Sequence, residues 1–281
     1  MAKKYETWAI VGDMQVPFHD PAAIEIAAQI IEDAKPDHFV DDGDANDFWV
    51  ISRHQNKRHE ILQMISLQEE VDRTITVQDR LTRKVPKHCK KHKIDGNHEF
   101  RLETFLGNGP QAILGSMRSL RMEEVFRYKE RGFSSYRPYG EGIWITPGLF
   151  VYHGEYVGAL PGDSVKKEIA HLGCSVIMGH THRKADLRFR QGKLEHRGIE
   201  NGCLCQLSSG YKAMTNWSQA FTVVTVYDER HWNAEVVDII TDDKEGVKFA
   251  IFRGNKYEVK ADLDDGLTLP WRPHRSIDFD K

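Results

Sequence analysis

No stretch of this chain is long and apolar enough to span a bilayer, and Met1-Ala2-Lys3-Lys4 runs straight into Tyr5-Glu6-Thr7 without the apolar core of a secretory leader. No membrane association is therefore expected, and the expected compartment is the cytoplasm. Cysteine is scarce: the four among 281 residues, at positions 89, 174, 203 and 205, are too few and too irregular for a disulfide framework. Cys203-Leu204-Cys205 lacks the second pair that a zinc site needs, and alternation along a strand puts both thiols on one face, so core packing is the expected role. Neither sign of charge dominates. With 39 Lys and Arg against 42 Asp and Glu the net charge is −3, which excludes a uniformly basic nucleic-acid binder but leaves room for a local patch. Repeats and low-complexity tracts are missing as well. What remains is a globular composition, 40% hydrophobic and 29% charged, enough for one large core with a small appendage.

The order of elements points to an α/β fold. Trp8-Ala9-Ile10-Val11 reads as a buried strand, and residues 21–35 as a helix with Asp20 as N-cap, Pro21 at its first position and Ile24, Ala27, Ala28 and Ile31 on one face. His38-Phe39-Val40 is the next strand, so a βαβ unit with parallel strands is expected, its functional residues at the carboxyl ends. Residues 48–93 read as an insertion carrying an amphipathic helix over 59–84, with Ile61, Leu62, Ile65, Val71, Ile75 and Leu81 at helical spacing. Its end, 80–93, bears seven Lys or Arg and no acid, which is either a solvated helix end or a phosphate-attracting rim. A second helical region is expected over 101–131 and a helix over 163–172. Strands are expected at Ile143-Trp144-Ile145, 149–152, 175–178, Leu187-Arg188-Phe189, Cys203-Leu204-Cys205 and 221–226, the last with a hairpin partner over 232–240. Residues 248–252 and 256–259 flank Arg253-Gly254-Asn255 as a small hairpin, followed by an extended tail with Asp262, Asp264, Asp265, Pro270 and Pro273.

Five short motifs carry the chemistry: Gly12-Asp13-Met14-Gln15, Gly43-Asp44-Ala45-Asn46-Asp47, Gly96-Asn97-His98-Glu99, His153-Gly154-Glu155 and Gly179-His180-Thr181-His182. Each offers oxygen or imidazole donors from a loop, beside glycines that let the backbone turn sharply. In their order, from Asp13 to His182, they resemble the calcineurin-like metallophosphoesterase superfamily, and the later Asn201-Gly202-Cys203-Leu204-Cys205 adds a likeness to uncharacterised phosphoesterases of phages and bacteria, for which the compartment would be the host cytoplasm. The resemblance implies a four-layer α/β/β/α sandwich of two mixed β-sheets flanked by helices, spanning residues 1–240, with 241–281 as a C-terminal hairpin and tail. It also implies two divalent ions, the first on Asp13, Gln15, Asp44 and His182 and the second on Asp44, Asn97, His153 and His180, with Asp44 as the bridge. Most relatives have His where this chain has Gln15; the manganese-dependent ADP-ribose and CDP-alcohol diphosphatases resemble it in using Gln. A hard amide oxygen there favours Mn²⁺, with Mg²⁺, Zn²⁺, Fe and Ni²⁺ as alternatives. His19, four residues on, is either a compensating donor or an ordinary residue at the helix start.

His98, next to Asn97, is the expected general acid toward the leaving group, a task suited to a group titrating near neutrality. By resemblance to the Ser/Thr phosphatases Asp47 orients it; the bland alternative is a helix cap. Arg101 is placed to bind a phosphate oxygen. The Ser/Thr phosphatases have Arg where this chain has Phe48, which argues against a protein phosphatase. Glu99 is expected to be structural, Glu155 to support a ligating His, and His54, His59, His88, His92 and His171 to lie at the surface. The expected function is two-metal hydrolysis of phosphodiesters of nucleotide or nucleic-acid type, with DNA or RNA among the expected substrates. A phosphomonoesterase or nucleotide pyrophosphatase of the same fold is the alternative, ahead of a non-catalytic scaffold. The sequence leaves the oligomeric state open.

Overall fold

The computed structural model describes residues 5–52, 65–191, 193–208 and 215–269, so His54, His59, Pro270 and Pro273 lie outside the described residues. In chain order the first half comprises β1 (Glu6–Val11), α1 (Pro21–Ala34), β2 (His38–Asp41), α2 (Leu67–Thr82), β3 (Lys90–Ile94), α3 (Phe100–Gly107), α4 (Met122–Val125) and β4 (Phe133–Arg137). The second half adds β5 (Gly142–Thr146), β6 (Leu149–Tyr152), α5 (Asp163–Leu172), β7 (Ser175–Met178), β8 (Lys184–Gln191), β9 (Leu194–Asn201), β10 (Ala220–Val226), β11 (Trp232–Asp238), β12 (Ile240–Asp242), β13 (Val247–Phe252) and β14 (Asn255–Lys260).

Two mixed sheets result. One has the order β11-β10-β1-β2-β3-β4, parallel from β1 to β4 and antiparallel at β10 and β11; the other is β5-β6-β7-β9-β8, parallel across β6, β7 and β9. Trp8, Ile10, Val40, Ile94 and Val224 of the first sheet pack with Leu149, Val151, Ile177 and Ile199 of the second in one apolar cluster, so the sheets lie face to face. The outer face of the first sheet is covered by α1 and by Val77 and Leu81 of α2, and that of the second by Val165 and Ile169 of α5. This is the four-layer α/β/β/α sandwich that the motif resemblance implies. Alternation supplies it: Trp8 and Ile10 face the partner sheet while Ala9 and Val11 face the helices.

Local chemistry sets the element ends. Asp20 accepts the Ala23 N–H at 3.0 Å, with Pro21 opening α1. Ser66 caps α2 by accepting from Glu69 N. The described helix begins at Leu67 rather than in the fifties, and residues 53–64 lie outside the described part. The helical region expected over 101–131 is instead broken into α3, two 3-10 stretches and the four-residue α4. Gly107, Gly109-Pro110 and Gly115 interrupt its hydrogen-bond ladder. Cys203-Leu204-Cys205 forms only isolated bridges to Gln219 and His19, not a strand. β13 and β14 form the expected hairpin, and Ala250, Phe252 and Tyr257 of that hairpin pack in the α1 cluster. No described helix is long and apolar enough to cross a membrane.

Candidate metal centre

Every motif leaves the carboxyl end of a strand. Asp13 follows β1, Asp44 follows β2, Asn97 follows β3, His153 follows β6, and His180 and His182 follow β7. The parallel runs of both sheets therefore deliver their loops to one rim. Asp13, Gln15, Asp44, His180 and His182 all adopt left-handed backbone, with φ of 49, 52, 51, 70 and 56°. Each such residue costs about 1–3 kcal/mol, so the surroundings must enforce it. They do so through backbone bonds from Asp13 N to Gly43 O and from Gln15 N to Asp44 O, both 2.9 Å, and through the Glu99 carboxylate, which accepts the N–H groups of Asp44, Ala45 and Gly96 at 2.8–2.9 Å. Glu99 is thus structural, as expected. A side chain at Gly96 would drive its Cβ into the Asp44 carboxylate, so only glycine lets the loop after β3 approach Asp44.

Around Asp44 the donors converge into two overlapping triads. Asp13, Asp44 and His182 offer ligand atoms within 4.8 Å of one another, and so do Asp44, His153 and His180. Gln15 and Asn97 fall one into each half. Gln15 Nε2 lies 3.0 Å from Asp44 Oδ2 and 3.2 Å from His182 Nε2, while Asn97 Oδ1 lies 2.7 Å from His180 Nδ1 and 3.1 Å from His153 Nε2. The Gln15 amide turns Nε2 to Asp44 and His182 and leaves Oε1 buried without a hydrogen-bond partner, so turning the amide over would present that acceptor to a hard cation beside Asp44.

The electrostatics are those of carboxylates awaiting positive charge. Burial opposes a charge on His153, yet Asp44, Asp13 and Asp42 outweigh it and push its pKa up to about 10. Burial likewise opposes His182, but Asp13 3.1 Å away pushes it up to about 9. Asp44 is held well below the usual carboxylate range, because His153 and His98 overcome its burial. His180 is pushed down to about 4 by burial and by His153. The two protonated rings occupy ground that cations would contest.

His98 sits at the edge of this cradle. Its Nδ1 lies 2.6 Å from Asp47 Oδ1 and its backbone N–H donates to Asp44 Oδ1 at 2.8 Å. Asp47 caps no helix: Glu70 accepts the N–H groups of Trp49 and Val50 that open the following turn, and Asp47 faces His98. Arg101 donates to Asp47 O at 2.7 Å and lies 2.9 Å from His98 Nε2, so it is held against the His98–Asp47 pair.

Other expectations change. His19 is fully buried, its Nε2 2.9 Å from Asp265 Oδ2, and belongs to neither donor triad. Glu155 is exposed, and the Asp42 carbonyl, 3.1 Å from Nδ1, orients His153 instead. His92 is buried, 2.9 Å from His38 Nδ1 and stacked with Trp8, whereas His88 and His171 are exposed. Segment 80–93 does not border the centre: Lys90 and Lys91 open β3 while Asn97 follows its other end, and Lys93 is buried between Asp41 and Glu99. Asp42 escapes the sequence reading. It is buried beside Asp13 and His153 and bonded by Asn201, and only its place inside Asp41-Asp42-Gly43-Asp44 hints at it.

A cavity of about 620 Å³ opens over the donors; its lining includes Gln15, Asp44, Asn97, His98, His180 and His182 together with the apolar Trp49, Val157, Ala159 and Trp217. No protein-family profile matches the chain. The Gene 54 protein of Mycobacterium phage L5 is similar, 25% identical over 259 residues that cover 82% of this chain and 92% of that protein. Among solved structures, Vps29 of Chaetomium thermophilum overlaps with a TM-score of 0.45 at 11% identity, covering 90% of this chain and 97% of its own. A dimetal phosphatase from Danio rerio overlaps with a TM-score of 0.39 at 12% identity, covering 91% and 99%. At these levels the reading of function rests on the geometry of the centre.

Proposed function

We propose that this chain is a calcineurin-like metallophosphoesterase that hydrolyses phosphodiesters of nucleotide or nucleic-acid type with two divalent cations. The observation that carries the reading is the pair of triads sharing Asp44, since a bridging carboxylate is what holds two cations about 3.5–4 Å apart. The residues fit such ions: oxygens of Asp13, Gln15, Asp44 and Asn97 with three imidazoles form a mixed donor set that favours Mn²⁺ over Mg²⁺. Two bound cations supply charge neutralisation at the phosphate and an activated water.

The chain's own residues do the rest. Asp47 orients the His98 ring through Nδ1, leaving Nε2 toward the cavity and Arg101. A phosphate that draws the Arg101 guanidinium onto its oxygens frees Nε2 to carry a proton and deliver it to the leaving oxygen. The apolar wall of Trp49, Val157 and Trp217 fits an organic diester better than inorganic phosphate alone.

The test is a panel of bis-p-nitrophenyl phosphate, p-nitrophenyl phosphate, ADP-ribose, cyclic nucleotides and single- and double-stranded DNA, with Mn²⁺ or Mg²⁺ and with chelator. Diester hydrolysis that needs added metal supports the reading, and preference for the monoester moves the assignment to a phosphomonoesterase. Equal activity in excess chelator, with bound metal excluded by elemental analysis, refutes metal dependence. Absence of both hydrolysis and metal uptake supports a non-catalytic scaffold.

A further inference from the structure

His182 has two chemically different sides. Nε2 faces the Asp13 carboxylate, with Oδ1 at 3.1 Å, and the Gln15 amide nitrogen at 3.2 Å. Nδ1 faces sulfur: Cys205 Sγ lies 3.6 Å away, and ligand atoms of His182, Cys203 and Cys205 all lie within 4.8 Å of one another. With Zn–S near 2.3 Å and Zn–N near 2.0–2.1 Å, a tetrahedral ion separates its sulfur and nitrogen ligands by about 3.6 Å, so the apo spacing already matches.

The three ligands are also held in place. Ser218 N donates to the His182 carbonyl at 2.8 Å and Cys203 N to the Ser218 carbonyl at 3.0 Å, while Cys205 bridges to His19. Both thiols are 1% exposed, yet Cys205 lines the cavity, so a fourth position can be reached by solvent. The spacing therefore supports more than core packing, although the sequence offers no second cysteine pair.

We propose that Cys203, Cys205 and His182 Nδ1 form a soft-cation site that takes Zn²⁺ as a bis-thiolate, its fourth ligand a water from the cavity. Binding releases the two thiol protons. A neutral imidazole has one free lone pair, so a cation on Nδ1 leaves the ring proton on Nε2, where it donates to Asp13. Zinc at the thiols therefore withdraws His182 from the first hard-cation position, and the two sites exclude each other at that ring. The exclusion rests on the proposed two-cation centre, whereas the thiolate site itself is read by spectroscopy without any phosphoesterase activity.

The experiment is titration of reduced, metal-free, full-length protein with Co²⁺ and Cd²⁺, followed by zinc-edge X-ray absorption of protein carrying one equivalent of Zn²⁺. Expected are a thiolate-to-metal charge-transfer band and two sulfur neighbours at about 2.3 Å. The band should vanish in Cys203→Ser/Cys205→Ser and persist in Cys89→Ser/Cys174→Ser. A nitrogen- and oxygen-only shell in the wild type, or an undiminished band in the Cys203/Cys205 variant, overturns the proposal. The wild-type absorption result decides it even if the variant fails to fold.

Discussion

The two halves of the centre share Asp44 but are built differently. The first, Asp13, Gln15 and His182, is buried and backed by thiols; the second, Asn97, His153 and His180, has Asn97 and His180 partly open to the cavity and is backed by the Asp42 carbonyl. A closed half retains its ion through charge and desolvated contacts, and an open half exchanges ion and substrate more readily. The first position is therefore expected to be the tighter one, with substrate approaching over the second.

Asp44→Asn should have the largest effect, because it removes the one negative charge common to both halves. The variant should lose both ions by elemental analysis, with turnover at background. If two metals per chain remain, the bridge lies elsewhere. His98→Asn should break function without touching the comparison: metal content is kept while kcat falls by roughly two to four orders of magnitude. The loss should be smaller for p-nitrophenyl esters, whose leaving group needs little protonation. Equal loss on every substrate would make His98 a positioning group.

A third test separates the halves by their protons. His153 at about 10 and His182 at about 9 are both raised above the ordinary 6.5, so each holds a proton at pH 7 in the metal-free protein. Ligation requires neutral rings, so loading both positions should release about one proton from each, measurable by calorimetry in buffers of different ionisation enthalpy. A raised folded pKa contributes stability that is fully present below the unfolded value near 6.5 and lost as pH rises through 9 to 10. The metal-free Tm should therefore fall over that window, and the loaded Tm should fall less. Parallel melting curves for the two forms would mean that the rings are not where the cations act.

Much of this was legible in the sequence because it is local. Asp20-Pro21 opening α1 and the strand-loop placement of Asp13, Asp44, His153 and His180 follow from caps, periodicity and glycines. Strands β3, β4 and β9 were not legible, and β3 lies inside the stretch that reads as an insertion over 48–93 yet pairs with β2 and β4 in the sheet. Lys90–Ile94, Phe133–Arg137 and Leu194–Asn201 are rich in polar residues, and β9 is buried because partners far along the chain satisfy it, as the Asp42 carboxylate does for Asn201 Nδ2 at 3.0 Å. The pairing of Arg101 with His98, the burial of Asp42 and the meeting of Cys205 with His182 likewise depend on how the folded loops come together. No spacing rule encodes them.

The smallest expected effect concerns the basic segment. Arg80 is tied to Asp265 and Lys84 to Glu32, Lys93 is buried, and none of the residues from 80 to 93 lines the cavity. Lys87 and Lys90 are exposed and Lys91 is partly so, donating to the Arg131 carbonyl, with β3 running from Lys90 and Lys91 toward the donors at its far end. Replacing Lys87, Lys90 and Lys91 with Gln should therefore leave hydrolysis of small diesters unchanged. For DNA or RNA, every lysine that neutralises a phosphate steepens the dependence of log K on log salt by about 0.7–0.9, so its replacement by Gln would flatten the slope by that amount. Since a strand threading the cavity does not meet these lysines, the slope should stay as it is. A flattened slope would show that a polyanion reaches from the metal centre round to the opposite end of the sheet, which would favour a long nucleic-acid substrate over a nucleotide.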